Sequence, residues 1–197
     1  MKKTILGMFA AILLSGTSLS VQAQEYETKH EIGISYGALS NSQYLDVLED
    51  MLAAPFSGKT DLKNEKFFGP LSVEYFYHVS KVVGVGGIFV YGQKTGDLYV
   101  DGQVKGENTN HYLTLMPAMK LDWLRKQNFG MYSKLAVGAT YRMEKNDAID
   151  YKETGMHMNW QVSLLGLEAG SPTVRGFVEL GMGEQGVLLA GLRYKFN

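Results

Sequence analysis

The sequence predicts an all-β fold, an eight-stranded antiparallel up-and-down β-barrel, on three observations. Apolar and polar residues alternate with period two in repeated segments the length of a strand. The connections between those segments are by turns long and short, and aromatic residues gather near the segment ends. Segments of about 10 residues with this alternation, separated by turn residues, are the signature of strands that close into a barrel.

Taken in order, the segments lie near 30–38, 68–79, 82–93, 110–122, 128–142, 157–169, 173–183 and 186–196. In the second, Leu71, Val73, Tyr75, Tyr77 and Val79 alternate with Ser72, Glu74, Phe76 and His78. In the fourth, Pro117 removes one ladder hydrogen bond, and a bulge is expected there. In the fifth, Phe129, Met131, Leu135, Val137, Ala139 and Tyr141 oppose Tyr132, Lys134, Ala136, Gly138, Thr140 and Arg142, and Ser133 is the one polar entry in the apolar row. The seventh sets Val174, Val178, Leu180 and Met182 against Arg175, Phe177 and Glu179. The eighth sets Leu188, Ala190, Leu192, Tyr194 and Phe196 against Arg193 and Lys195. The phase of the third and sixth stays open, because Trp160, Val162 and Leu164 on one row would send Leu165 and Leu167 to the other.

The chain starts with Lys2 and Lys3, an apolar run from Ile5 to Leu14, and Val21-Gln22-Ala23. That order describes a secretory signal peptide over 1–23, cleaved after Ala23, followed by one domain over 24–197. The run is far short of the roughly 20 residues of a spanning helix. Losing Lys2 and Lys3 takes the formal net charge from −1 to −3, which gives no basic surplus for nucleic acid. There is no cysteine, hence no disulfide and no lipoprotein anchor.

A soluble barrel turns its apolar row inward, and a transmembrane barrel turns it to lipid. Alternation alone does not separate them, but three features favour the membrane. Long connections (38–67, 94–110, 143–156) sit on one end and tight turns on the other, with Glu184-Gln185 a short exception on the long side, matching extracellular loops and periplasmic turns. Aromatics sort into two belts, with Tyr36, Phe68, Tyr91, Tyr112, Tyr141 and Trp160 outside and Tyr77, Trp123, Phe129, Tyr194 and Phe196 on the periplasmic side. The final strand ends on Leu192, Tyr194 and Phe196, with Asn197 after them.

These features, with the segment "YLTLMPAMKLDWLRKQNFGMYSKLAVGATYR", resemble the small outer-membrane β-barrel family of Gram-negative bacteria, the OmpA-like and OmpX-like barrels. The resemblance spans the mature chain and implies an outer-membrane location after export, with outer-membrane lipids as surroundings. It implies an assembly signal in Leu192, Tyr194 and Phe196, read by the barrel assembly machinery. A monomer is expected, without cofactor and without a periplasmic domain.

Eight strands enclose an interior that side chains just fill. The inward charges are expected to be Glu74, Lys120, Lys134, Arg142, Arg175, Glu179, Arg193 and Lys195, paired because an isolated buried ion is costly. Glycines 84, 86 and 138 would make room for long cations nearby. A filled interior is the simplest outcome, and a narrow pore for small solutes or ions is the alternative.

In the first long connection, Tyr44, Val47, Leu48, Met51 and Leu52 recur at helical spacing before Pro55, which predicts a short amphipathic helix over 41–55, packed over the mouth. All three long connections are net acidic. An enzymatic alternative, a lipid acyl hydrolase or acyltransferase, would draw on His78 and Ser80. Ser80 reads more simply as a turn residue and His78 as a lumen histidine. His30, His111 and His157 are scattered, without metal-ligand spacing. The expectation is a non-enzymatic barrel anchoring acidic outer loops for envelope integrity or surface interaction, with its extracellular ligand unknown.

Overall fold

The computed structural model describes residues 28–42, 60–100, 103–146 and 151–197, and the side chains of 28–42, 66–96, 108–145 and 154–197. The signal peptide over 1–23 lies outside the described residues, as does the helix expected over 41–55 beyond Asn41 and Ser42.

Eight strands run in chain order: β1 His30–Ala38, β2 Thr60–His78, β3 Val83–Val100, β4 Gln103–Arg125, β5 Phe129–Asn146, β6 Tyr151–Gly170, β7 Val174–Gly183 and β8 Leu188–Phe196. Each pairs antiparallel with the next, and β8 returns to β1 from His30↔Phe196 to Ala38↔Leu188, so the sheet closes without an edge. At the end of that seam Asn197 Oδ1 accepts a hydrogen bond from Lys29 N at 3.0 Å. The residue after Phe196 therefore continues the β1–β8 junction.

The strands differ in length for a physical reason. β1, β7 and β8 have 9, 10 and 9 residues. β2 to β6 have 18 to 23. β1 follows β2 only as far as Tyr36↔Leu71, and β7 follows β6 only from Gln161↔Gly183. Beyond those pairs the five longer strands continue as an open sheet. Much of 94–110 and 143–156, expected as loops, is therefore strand. These stretches carry no apolar row, so alternation could not mark them.

Both phases left open are settled: in β3 the even-numbered Gly84, Ile88, Val90, Gly92 and Lys94 form the buried row, and in β6 a bulge changes the row midway. In β6 the register shifts between Ser163 and Leu165 against β7, and between Tyr132 and Lys134 of β5 on the other side. This is a bulge at Leu164, which inserts one residue and flips everything after it. Leu164 is exposed, Gly166 and Glu168 turn inward, and Leu165 and Leu167 do not join the buried row. Ser133 now has a purpose in its apolar row, because its Oγ donates to the Leu164 carbonyl at 2.6 Å. Replacing Ser133 by Ala should cost about 1 kcal/mol in a denaturant titration, the worth of one hydrogen bond. At Pro117 the expected bulge is absent: Leu115↔Ala139 and Ala118↔Ala136 keep one register across it. The shift falls instead between Asp122 and Leu124. Pro117 faces outward, and β4 stays in phase on both sides of it.

Inside, Phe76, Ile88, Val90, Met116, Ala118 and Ala136 form an apolar cluster on the β2–β5 wall. Small residues also shape the interior, though not as expected. A Cβ on Gly84 would meet the His78 ring, and one on Gly86 or Gly138 would strike neighbouring backbone. None of the three makes room for a long cation. Gly166 is the sharper case, since a Cβ there would lie 2.4 Å from Tyr132 ring carbons. Gly166→Ala should destabilise the barrel by about 1–3 kcal/mol through overpacking, measured as a lower unfolding midpoint.

Candidate functional site

The interior below the apolar cluster is ionic. Glu31 of β1, Glu74 of β2, Asp122 of β4, Glu168 of β6 and Glu179 of β7 meet Lys120 of β4, Lys134 of β5, Arg175 of β7, and Arg193 and Lys195 of β8, all buried. Alternation puts each on the inward row. The cylinder then brings residues from seven strands within reach of one another.

Arg193 sits at the centre. Its guanidinium pairs with Glu74 through Nη2 and with Glu168 through Nη1 at 2.7 Å, and it bonds the Tyr132 hydroxyl at 3.1 Å. Its Cζ lies 4.7 Å from the Tyr132 ring centroid and 4.3 Å from that of Phe177. A planar fork held between two rings offers its two amino groups to two carboxylates in one fixed geometry.

Lys134 bridges Glu74 at 2.7 Å and Glu179 at 2.8 Å, and Glu179 also accepts from Tyr132 Oη at 2.7 Å and from Ser163 Oγ. Lys120 contacts Glu31 at 2.6 Å, while Lys195 joins Glu168 and approaches Glu31 at 3.5 Å. Arg175 pairs with Glu168 at 2.6 Å and donates to the carbonyls of Lys126 and Gln127 at 2.8 and 2.9 Å, so it ties the β4–β5 turn into the network. Each charge thus has an opposite charge within 4 Å, which makes its burial tolerable, while Glu31 Oε2, Asp122 Oδ2 and Arg193 Nε make no hydrogen bond.

Seven of the eight charges expected in the lumen are here. Arg142 is not: its side chain is 26% exposed near the open sheet, 3.3 Å from Glu144. It belongs to the mouth, because β5 runs on past the closed cylinder at that level. Glu31, Asp122 and Glu168, which the inward charges expected from sequence do not include, complete the network together with His78, the expected lumen histidine. Asp122, two residues from Lys120, was legible in the sequence, whereas the Leu164 bulge concealed Glu168.

His78 lies between Glu31 at 3.4 Å and Asp122 at 3.3 Å. Ser80 is elsewhere, exposed on the turn, where its Oγ accepts from Val82 N at 3.3 Å and Val83 N at 3.0 Å. The two are not arranged as a base and its nucleophile.

Toward the other end of the interior the described residues bring one buried carboxylate, Glu184, and one buried cation, Lys94 on β3. The β7–β8 turn folds inward, so that Glu184 and Gln185 are buried. Glu184 accepts from Ser42 N at 3.1 Å, Ser42 Oγ at 2.6 Å, Asn159 Nδ2 at 2.8 Å and Thr114 Oγ1 at 3.3 Å. Gln161 Oε1 accepts from Gln185 N at 2.8 Å.

On the outer surface lies a ring of exposed apolar side chains, including Ile32, Ile34, Val73, Val85, Phe89, Leu115, Leu135, Val137, Val178, Leu180 and Leu192. Aromatic residues border it. Tyr36, Phe68 and Tyr91 stand in a row, with centroids 6.0 and 6.5 Å apart, and Tyr141 and Trp160 also face outward. Tyr112 does not join them. It points inward, 2% exposed, and stacks on Phe67 at 6.3 Å. His111 takes the outward place, stacking on Tyr91 at 6.2 Å with a 3.0 Å hydrogen bond to its hydroxyl. The reason is parity, since Tyr112 shares a row with buried Thr114 and Met116.

At the short-turn end Tyr77, Trp123, Phe129 and Tyr194 are exposed. Phe196 stacks on His30 at 5.3 Å and on Tyr194 at 5.6 Å. The three residues expected as an assembly signal are thus one outward row, closing the β1–β8 seam.

These features define a class, the closed eight-stranded antiparallel barrel with an apolar outer wall and an ion-paired interior. No protein-family model and no curated protein matches the chain. Among solved structures, Ail, the attachment invasion locus protein of Yersinia pestis, is similar at 13% identity and a TM-score of 0.45, over 88% of this chain and 100% of that one. The same protein in complex with the heparin analogue sucrose octasulfate is similar at 12% identity and a TM-score of 0.47, over 86% of this chain and 97% of that one.

Proposed function

We propose that this chain is an exported, integral outer-membrane β-barrel, non-enzymatic, which anchors outer loops for envelope integrity or surface interaction. The exposed apolar ring around an ion-paired interior carries this reading. Soluble proteins rarely expose a continuous apolar surface of that extent. Hydrocarbon satisfies the ring, and the closed sheet leaves no strand edge unpaired in lipid.

Strand length agrees. β1, β7 and β8 have 9, 10 and 9 residues, and a tilted transmembrane strand needs about 9–11. The five longer strands then project beyond the bilayer on the side of the long connections. On this reading the two aromatic rows lie at the membrane interfaces, the last strand is the assembly signal, and the barrel works as a monomer surrounded by outer-membrane lipid. Arg193, Lys134 and Lys120 stand across the interior with their partners, so they act as its filling and not as the lining of a conduit.

The test is to express the full chain in a Gram-negative host and fractionate the envelope. The protein should sediment with outer membranes, resist urea extraction and dissolve only in detergent. Recovery as a freely soluble periplasmic protein would refute the proposal. Planar bilayers containing it should show no conductance above background.

A further inference from the structure

We propose that Glu184 is a proton-dependent latch that holds the root of the first long connection, at Ser42, against the inner wall of the barrel. The inference stands on the geometry of the mouth and holds whether or not the barrel lies in a membrane.

The two oxygens of Glu184 have unlike partners. Oε2 accepts from two groups that can only donate, Ser42 N and Asn159 Nδ2. Oε1 faces two hydroxyls, Ser42 Oγ and Thr114 Oγ1. A hydroxyl can reverse and accept. Thr114 Oγ1 also lies 2.6 Å from Thr140 Oγ1, where either oxygen can be the donor, and Asn159 Nδ2 donates to Thr140 Oγ1 at 2.9 Å. A proton on Oε1 is therefore absorbed by turning Ser42 or Thr114, with every other hydrogen bond kept. The site accepts a neutral carboxyl without rearrangement.

Among the described residues no cation lies within ion-pairing distance of Glu184, and the buried Lys94 stands further out on the inward row of β3. The segment 40–42 brings Ser40, Asn41 and Ser42, the turn brings Gln185, and β4, β5 and β6 bring Thr114, Thr140 and Asn159. The nearest titratable or charged groups on the same inward rows are one step further out: Tyr112 on β4, Arg142 beside Glu144 on β5, and His157 on β6. Burial pushes the Glu184 carboxyl above the ordinary carboxylate value, although the bonds from Ser42, Asn159 and Thr114 pull the other way. The sign follows. A carboxyl raised on folding favours the folded arrangement while protonated, and that advantage is lost as pH rises through the raised value. The latch is tight in acid and loosens as pH rises.

The test is hydrogen exchange at the Ser42 amide in the full mature chain, expressed as protection relative to the free amide. In the wild type, protection should fall as pH rises through values above the ordinary carboxylate range. Glu184→Gln places an acceptor toward Ser42 N and Asn159 and a donor toward the hydroxyls, so its protection should stay high and flat with pH. Glu184→Ala should lose protection throughout. His157→Gln, which removes the imidazole one step further out on β6, should leave the wild-type profile in place. A flat wild-type profile, a Glu184→Gln profile that tracks the wild type, or a profile abolished by His157→Gln would overturn the proposal.

Discussion

Arg193→Ala should destabilise the barrel by about 3–5 kcal/mol, the cost of breaking a buried ion pair by removing one partner. Among the described residues, Arg193 alone contacts both Glu74 and Glu168 while also bonding Tyr132. Without it, Glu74 keeps Lys134, and Glu168 keeps Arg175 and Lys195, but the middle of the network holds excess negative charge with no water to solvate it. Arg193→Lys restores the charge and lacks the fork, so it should recover only part of the loss. Urea unfolding in lipid vesicles, followed by tryptophan fluorescence, gives the comparison. A midpoint for Arg193→Ala close to that of the wild type would mean that the network is not what holds the interior together.

The second large effect is on the opposite face. Leu135 lies midway along β5 between Tyr141 and Phe129, 46% exposed. Leu135→Arg should cost about 2–4 kcal/mol if that face meets the middle of a bilayer, whereas the same charge near an interface costs about 0–1 kcal/mol. Thr95→Arg is the control, because Thr95 sits on the β3 extension beyond the closed cylinder, paired with Lys66 and Thr109. The pair separates two environments. In water an exposed leucine gains from becoming arginine, so a neutral or stabilising Leu135→Arg in the folded protein would argue against lipid around this wall. Ser133→Ala and Gly166→Ala touch single contacts and should be smaller.

Much of this architecture was legible in the residues themselves. Period-two alternation located all eight strands, and the inward rows of β2, β4, β5, β7 and β8 named most of the ion network. Where this failed, it failed by parity or by polarity. Tyr112 was assigned to the outer belt on its nearness to a strand end, yet strand parity places it inside and His111 outside. Glu168 was hidden because one bulged residue reverses every side chain after it. The extensions of β3 to β6 were invisible because a strand polar on both faces lacks the contrast that alternation requires.

The sequence by itself determined the strand count, the up-and-down order and, outside β3 and β6, which face of a strand carries charge, because these depend only on neighbours two residues apart. It did not determine which charges meet. Glu74 and Arg193 are 119 positions apart, and only closure of β8 onto β1 brings them together. The Glu184 cluster likewise exists because a turn, a loop root and three strands converge at one mouth. Contacts across a cylinder depend on register, bulges and closure, which are properties of the whole sheet, so the tertiary structure alone decided them.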